Sequence, residues 1–212
     1  MVYDIFGGKG INIEIPQDVF PTQEELDLMD RLAPGGEHGW FESSYKNSRL
    51  HYQSWIPTGE VKGVVVFCHG IQSNCTKGTI VNGQKFSTSL QVESFHRLGC
   101  AFYTFDHLGH GFSEGTRFFI PDWTFNKQDV INFCKLAASK HSKDIPLFLS
   151  GDSYGGCLAI HVARYFQDHP EDGPSNFDSI LLTAPAIVGK LPPFPMYQIL
   201  RYGLAPLFPE RT

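Results

Sequence analysis

Ser153 stands in the pentapeptide Gly151-Asp152-Ser153-Tyr154-Gly155, between a short apolar run and a stretch with helical character. A serine hydroxyl attacks ester carbonyls once an imidazole removes its proton. Glycines two residues to either side permit a sharp strand-to-helix turn, because larger side chains there would collide with the neighbouring helix and strand. Such a turn strains the serine backbone and exposes the hydroxyl. We therefore predict Ser153 as a nucleophile rather than an incidental serine in a glycine-rich turn.

Two backbone N–H groups are candidates to stabilise the oxyanion that such an attack creates. The helix that begins at the turn directs free N–H groups and a positive dipole end toward the serine, and Tyr154 supplies one of them. His69-Gly70 ends another apolar run, and the N–H of Ile71 follows it. Sites of α/β sheets are built at the carboxyl ends of the strands, so we expect both groups beside Ser153.

The histidine that would activate Ser153 is not evident. His161 follows eight residues later in the same predicted helix, about 12 Å along its axis, which is too far to reach back. His169 lies in a polar loop at the far end of that helix. His69 is nearer; we interpret it as a residue that holds the oxyanion loop by hydrogen bonds, with a role as the base as the less favoured alternative.

His107-x-x-His110 beside Asp106 raises the alternative of a metal site. No further cluster of ligands in the sequence supports zinc binding by these residues. We therefore predict no metal and no cofactor.

Apolar runs and helical patterns indicate which elements position these residues. Continuous apolar runs predict strands buried on both faces, at residues 63–70, 100–111, 145–151 and 179–189. Helices are predicted between them, at 86–99, at 122–141 with Asp122 as N-cap, and at 154–166. A capped helix at 22–36 and strands at 40–44 and 49–57 precede this region. Alternation of strand and helix predicts an α/β fold with a largely parallel sheet.

Composition limits the classes of function. A chain of 212 residues suits one domain, and its net charge of −5 gives no basic field for nucleic acid. The N-terminus lacks a signal-peptide pattern, and no apolar run is long enough to span a membrane, so we expect a cytoplasmic protein. Five scattered cysteines are predicted to be free, buried thiols of a reducing compartment: Cys68, Cys75, Cys100, Cys134 and Cys157.

Three motifs in this order resemble the α/β-hydrolase family, and specifically its monoacylglycerol lipase-like branch (serine aminopeptidase S33, lysophospholipase-like). They are the His69-Gly70 loop, the glycine-rich segment from Asp106 to Gly115, and the Gly151–Gly155 turn. The resemblance extends from about Trp40 to the last residue. It implies a serine hydrolase that cleaves carboxylic esters through an acyl-enzyme on Ser153, with monoacylglycerols as the leading substrate class.

The resemblance also divides the chain. Residues 1–38 would form an N-terminal tail and helix, residues 39–190 the N-terminal part of the hydrolase core, and residues 191–212 the start of a lid. In this branch the lid is apolar, admits an acyl chain and touches membrane surfaces, which implies that Met196, Ile199 and Leu200 contact substrate. On periodicity alone, residues 195–208 favour an ordinary core-facing helix instead.

One departure from the family pattern is large. In the family, the acid and the histidine follow on later strands, which this sequence does not reach. We expect the C-terminal strands and most of the lid to be absent, so that the chain is either the front portion of a longer enzyme or a short form without catalysis. A non-catalytic lipid-binding protein is therefore the second functional class. Acyl transfer ranks below both, because no histidine begins a His-x4-Asp pattern.

Overall fold

The computed structural model describes residues 22–32, 34–75, 78–81, 84–187, 193–199 and 202. Strands and helices alternate along most of this length. In chain order the elements are α1 (Gln23–Leu32), β1 (Glu37–Glu42), β2 (Arg49–Trp55), β3 (Gly63–Cys68), β4 (Gly78–Val81), β5 (Gln84–Ser87), α2 (Thr88–Arg97), β6 (Cys100–Phe105), α3 (Trp123–Ser139), β7 (Leu147–Asp152), α4 (Ser153–Asp168), β8 (Phe177–Thr183) and α5 (Met196–Gln198).

Six of these strands form one sheet in the order β1-β2-β6-β3-β7-β8. The last four run parallel, whereas β1 and β2 are antiparallel to their neighbours. The predicted α/β fold with a largely parallel sheet is confirmed. The carboxyl ends of β3, β6, β7 and β8 lie at one edge of the sheet, and the residues that follow them are His69, Asp106, Ser153 and Ala184.

Both faces of the central strands are buried, as their continuous apolar sequences require. Val64 and Val66 of β3 belong to the larger core, which includes Val130 of α3 and Leu158 of α4. On the opposite face, a smaller core joins Val65, Trp55, Phe102 and Val92. α3 and α4 pack on the same face of the sheet, and their N-terminal turns lie at the edge that carries Ser153.

The N-terminus of α3 is fixed by its predicted cap. The Asp122 carboxylate accepts a 2.8 Å hydrogen bond from the Thr124 N–H. Further along α3, the buried Asp129 carboxylate accepts bonds from the Ser43 hydroxyl and the Ser44 N–H, at 2.7 and 2.6 Å. Burial raises the pKa of Asp129, although these bonds oppose the shift. α3 is thereby attached to the turn between β1 and β2.

Several predicted boundaries were wrong. β1 begins at Glu37 rather than residue 40, and the hairpin of β4 and β5 was not predicted. Phe86 and Ser87 belong to that hairpin, so α2 begins only at Thr88. β6 ends at Phe105, because Gly109 and Gly111 adopt positive φ angles of 72° and 48° that end the extended chain. β8 stops at Thr183, before Ala184 with φ 42°. The predicted tail lies outside the described residues, as does most of the predicted lid.

β8 is the outermost of the described strands on its side of the sheet, where it pairs with β7 alone. Its apolar sequence predicts a strand with neighbours on both sides. Leu181 and Leu182 are instead 41% and 39% exposed. The described residues therefore leave an apolar strand open at the edge of the sheet.

The cysteines are free, as predicted, but only three of them are buried: Cys68, Cys75 and Cys134. The prediction of burial was wrong for Cys100 and Cys157, which are only partly buried. Cys100 is the first residue of β6, at the margin of the sheet, and Cys157 lies on the flank of α4 one turn after Ser153. None of the helices in the described ranges has the length and apolar composition that a bilayer crossing demands.

Candidate active site

Ser153 lies at the point where β7 passes directly into α4. Its φ angle is +48°, in the left-handed region that strains a residue with a side chain. The residue is exposed, although Gly151, Gly155 and Gly156 around it are buried. The serine is therefore presented at the carboxyl edge of the sheet by a bend that the backbone would not adopt unaided.

The glycines of the pentapeptide make this bend possible. A Cβ placed on Gly155 would overlap the carbonyl group of Cys68 at the end of β3, and one placed on Gly151 would overlap the carbonyl of Gly155. Neither backbone group can move without breaking the sheet or the helix. The collisions predicted from the sequence, with the neighbouring strand and the helix, are therefore present.

The loop after β3 approaches Ser153 closely. A Cβ on Gly70 would come 3.2 Å from the Ser153 Cβ. Gly70 then begins a turn in which its carbonyl accepts a 3.2 Å hydrogen bond from the Ser73 N–H. Ile71 is the second residue of this turn and is 47% exposed. Tyr154 lies in the first turn of α4, where helix N–H groups have no intrahelical acceptor. Both predicted oxyanion donors thus belong to segments that meet at Ser153.

Hydrogen bonds join His69 to its own loop and to the segment after β6. Its Nδ1 lies 2.7 Å from the Gly70 carbonyl oxygen, and its Nε2 accepts a 3.1 Å bond from the His107 N–H. These partners assign the proton of a neutral ring to Nδ1. Nδ1 therefore bonds to the backbone of the loop and Nε2 to the backbone of the segment after β6, rather than to the Ser153 hydroxyl.

Two further buried histidines pack beside His69. The His107 ring centroid is 4.3 Å from that of His69, and the His110 centroid is 5.4 Å away. Burial holds the pKa of His107 well below the usual value, and the neighbouring His69 and His110 contribute. Burial also lowers the pKa of His110. These rings are neutral at physiological pH and provide packing without charge.

Asp106 holds the glycine-rich segment to the loop. It is fully buried and accepts bonds from the Cys75 N–H at 2.7 Å, the Phe112 N–H at 3.0 Å and His51 Nδ1 at 2.9 Å. Burial alone would raise the pKa of Asp106, but the hydrogen bond and charge interaction with His51 lower it to about 2. The carboxylate is therefore ionised and binds three donors from different segments.

Tyr154 is anchored through its side chain. Its hydroxyl accepts a 3.0 Å bond from Asn126 Nδ2 on α3, and its ring packs 6.0 Å from the ring of His107. Burial raises the pKa of Tyr154 to about 12, against a smaller opposing effect of the Asn126 bond. Asn126 is itself buried, and its Oδ1 has no partner among the described residues. α3 thus fixes the residue that follows Ser153.

The two histidines after Ser153 lie elsewhere. His161 packs against Trp123, with ring centroids 4.7 Å apart. His169 caps the far end of α4, where it packs on Tyr165 and lies 3.8 Å from a Glu171 carboxylate oxygen. Neither forms a hydrogen bond to Ser153 in the described structure, in agreement with the argument from helix length.

The residues proposed to contact substrate are only partly described. Met196 is 54% exposed and Ile199 is 57% exposed. Leu200 lies outside the described residues.

A family model for serine aminopeptidase, S33, matches residues 59–212, which include the Gly70 loop, the Asp106 segment and Ser153. The chain belongs to the serine aminopeptidase S33 family. The resemblance found in the three motifs is thereby confirmed, and the S33 match covers most of the chain.

Curated relatives of this chain include proteins named as esterases and lipases. The chain is 31% identical to caffeoylshikimate esterase of Arabidopsis thaliana over 79% of its own length and 46% of that protein. It is 26% identical to monoglyceride lipase of Rattus norvegicus over 66% of its length and 40% of that protein. It is 29% identical to monoacylglycerol lipase of Mycolicibacterium smegmatis over 66% of its length and 43% of that protein. The chain therefore spans less than half of the length of these relatives.

Solved structures support the α/β-hydrolase fold. A monoglyceride lipase from Saccharomyces cerevisiae, in complex with a substrate analogue, matches with a TM-score of 0.55 at 23% identity, over 84% of this chain and 53% of that one. A carboxyl esterase from Bacillus coagulans matches with a TM-score of 0.56 at 18% identity, over 83% and 51%. At these identities the likeness establishes the α/β-hydrolase fold alone, and the solved chains are larger.

Sequence reasoning missed three residues around the S33 site. Asn126 belongs to α3, and no local pattern connects it with Tyr154, 28 positions later. His51 and Cys75 come from β2 and the loop after β3, and they meet at Asp106. The metal alternative considered from sequence paired Asp106 with His107 and His110. The structure instead groups His51, Cys75 and Asp106 as the set that could hold a metal ion within the described ranges.

Proposed function

We propose that this chain carries the nucleophile and the oxyanion-binding groups of a serine hydrolase that cleaves lipid esters, with monoacylglycerols as the leading substrate class. The observation that carries the proposal is the exposed Ser153 at φ +48°, against which the Gly70 loop packs. The relatives named as monoglyceride and monoacylglycerol lipases support the substrate class.

The reaction would proceed by acyl transfer to Ser153. As Oγ attacks the ester carbonyl carbon, its proton passes to an imidazole, and the carbonyl oxygen becomes an oxyanion. The N–H groups of Ile71 and Tyr154 donate to that oxyanion. The intermediate then expels the alcohol, which takes the proton from the imidazolium, and leaves an acyl group on Oγ. Water then attacks the acyl carbonyl carbon and gives its proton to the imidazole, which returns it to Oγ as the carboxylic acid leaves and the serine is restored.

We further propose that the imidazole and its orienting carboxylate come from outside these 212 residues. All nine histidines of the sequence lie within the described ranges. Among the described residues, none of them forms a hydrogen bond to the Ser153 hydroxyl, and both ring nitrogens of His69 are in hydrogen bonds to backbone groups. The additional length of the relatives is consistent with a base on a further segment.

The apolar residues near the end of the described chain would form part of the acyl site. Met196 and Ile199 expose hydrophobic side chains, as a lid that contacts an acyl chain or a membrane surface would. The relative named caffeoylshikimate esterase indicates an aromatic acyl group as the alternative. Esters of long-chain fatty acids and of hydroxycinnamic acids would separate these two substrate classes.

Labelling with a fluorophosphonate probe tests the nucleophile. We expect slow covalent modification of the folded chain at Ser153, because the phosphonyl oxygen would occupy the oxyanion site even without a base. Ser153→Ala should abolish labelling, whereas Ser179→Ala, which removes an exposed serine of β8, should leave it unchanged. Labelling that persists in Ser153→Ala would refute the assignment.

The proposal that the catalytic imidazole lies outside these 212 residues predicts slow turnover by the chain alone. We expect p-nitrophenyl ester hydrolysis by the chain to remain far below that of an intact lipase, at most roughly 10³-fold above the uncatalysed rate. Added imidazole should increase hydrolysis by the wild-type chain beyond the background measured with Ser153→Ala. Lipase-level activity without imidazole would refute the proposed external base and leave the nucleophile assignment intact.

A non-catalytic lipid-binding protein is the second candidate, and the lack of any histidine contact to Ser153 favours it. This function predicts that a folded chain binds a fluorescent fatty acid yet is not labelled by the fluorophosphonate. Binding together with Ser153-dependent labelling would favour the hydrolase.

A further inference from the structure

Three buried side chains from separate segments meet beneath the loop that follows β3. They are His51 of β2, Cys75 of the loop and Asp106 after β6, and each is at most 1% exposed. One ligand atom from each lies within 4.8 Å of the others, and no other trio of histidine, cysteine and acidic side chains in the described ranges does so. The proposed esterase reaction uses none of these three groups.

Two of the three separations between these atoms are close to those of a tetrahedral zinc site. Cys75 Sγ is 3.6 Å from His51 Nδ1, and Asp106 Oδ2 is 2.9 Å from the same nitrogen. Zinc bond lengths at tetrahedral angles require about 3.6 Å between sulfur and nitrogen and about 3.4 Å between nitrogen and oxygen. The thiol is already at the required distance, and the imidazole and carboxylate need to separate by about 0.5 Å.

We propose that His51 Nδ1, Cys75 Sγ and Asp106 Oδ2 form a binding site for a zinc ion. Thiolate, imidazole and carboxylate are all zinc donors, and the mixed set favours zinc over calcium or magnesium, which prefer oxygen ligands alone. Three protein ligands leave one tetrahedral position for a water molecule. The site goes beyond the proposed hydrolase function and does not depend on it.

Hydrogen bonds behind the ligands fit both the metal-free and the metal-bound form. Without metal, donors run in one direction: Cys75 Sγ to Gln53 Oε1 at 3.7 Å, Gln53 Nε2 to His38 Nε2 at 3.2 Å, and His38 Nδ1 to His51 Nε2 at 2.9 Å. His51 Nδ1–H then donates to Asp106. Every member of this chain has a partner.

Zinc binding would reverse the inner part of this chain. His51 would give up the Nδ1 proton and carry one on Nε2, which donates to His38 Nδ1. His38 would then carry its proton on Nε2, and the Gln53 amide would turn so that its NH₂ group faces the thiolate. Each histidine keeps one proton, so the Cys75 thiol proton is the only one released to solvent per ion bound.

The position of the site indicates what the ion does. Cys75 lies four residues after Ile71, and its N–H already bonds to Asp106 Oδ1. Zinc would therefore fasten the loop carrying the proposed oxyanion donor to the strands β2 and β6. We assign the ion a structural role, in which it limits motion of this loop.

Cobalt titration of the folded 212-residue chain tests the site. We expect a thiolate-to-cobalt absorption band in the near ultraviolet, visible bands of tetrahedral cobalt, and loss of both on addition of zinc. Cys75→Ser, which preserves the size of the side chain, should abolish the thiolate band, and Cys100→Ser should retain it. Circular dichroism establishes that each variant is folded. Absence of the band in the wild-type chain, or its persistence in Cys75→Ser, would overturn the proposal.

A second measurement needs no variant. In mild denaturant, alkylation of Cys75 reports the opening of the loop, and mass spectrometry resolves its peptide from that of Cys100. We expect zinc to slow modification of Cys75 at least about tenfold while Cys100 reacts at an unchanged rate, since an ion that binds the folded site opposes its opening. Equal rates for Cys75 with and without zinc would contradict the site.

Discussion

Gly70 packs against Ser153 so closely that a methyl group on Gly70 would lie 3.2 Å from the Ser153 Cβ. The loop after β3 can therefore come this close to the strand-to-helix bend only because Gly70 has no side chain. Gly70→Ala should push the loop and the Ile71 N–H away by a few tenths of an ångström. We expect labelling by a fluorophosphonate to slow about tenfold, with a smaller effect on stability.

Gly59→Ala is the matched control, because nothing lies within 4 Å of a Cβ there. An unchanged labelling rate in Gly70→Ala would contradict the proposed oxyanion site.

Gly155→Ala should destabilise the whole fold. The added Cβ would overlap the backbone carbonyl of Cys68, and neither α4 nor β3 can shift without losing its own hydrogen bonds. We expect the free energy of unfolding to fall by about 3 kcal/mol or more, measured by urea denaturation. A variant with wild-type stability would mean that the close contact between α4 and β3 is not present in solution.

Asp129 should impose a pH dependence on stability. Because burial raises the pKa of Asp129 above 3.8 in the folded state, the unfolded chain loses this proton first as the pH rises. The folded state then binds more protons than the unfolded state, and stability decreases with pH from 3.8 up to the folded pKa. Asp129→Asn does not titrate, so the difference in unfolding free energy between the two proteins should change across this interval.

The control for this measurement is Asp178→Asn, which alters an exposed carboxylate on β8. Its stability profile should parallel that of the wild type. A parallel profile for Asp129→Asn as well would show that the Asp129 carboxylate is not buried.

Tyr154 and Asn126 should be energetically coupled. Tyr154→Phe removes the acceptor of the Asn126 Nδ2 bond and leaves a buried amide without a partner, at a cost of about 1–2 kcal/mol. Replacement of both residues, as Asn126→Leu with Tyr154→Phe, should cost less than the sum of the single changes. A double-mutant cycle by urea denaturation should therefore give a coupling of about 1 kcal/mol. Strict additivity would mean that the two side chains do not interact.

The sequence contained enough information for the fold and the Ser153 bend, because both depend on local patterns. Continuous apolar runs identified the parallel strands, and glycines around Ser153 identified the bend whose collisions the structure contains. The cap at Asp122 followed from the same kind of local rule. Such features depend on residues within a few positions of one another.

The groups that support the site could not be found in this way. His51, Cys75 and Asp106 are brought together by sheet pairing and a loop, with separations of 24 to 55 positions. Asn126 meets Tyr154 through the packing of two helices. The β4–β5 hairpin also escaped prediction, since its strands are only four residues each. Long-range contacts of this kind require the tertiary fold and leave no periodic trace in the sequence.

The outer edge of β8 has a practical consequence for work with this protein. Backbone groups along a strand edge that has no partner among the described residues accept a second extended peptide, and the partly exposed Leu181 and Leu182 would stabilise that pairing by excluding water. Aggregation should consequently depend on protein concentration. A dilute sample should stay in solution, while a concentrated one should gel or precipitate. Leu182→Lys, which places a charge on that margin, should raise the concentration at which turbidity first develops.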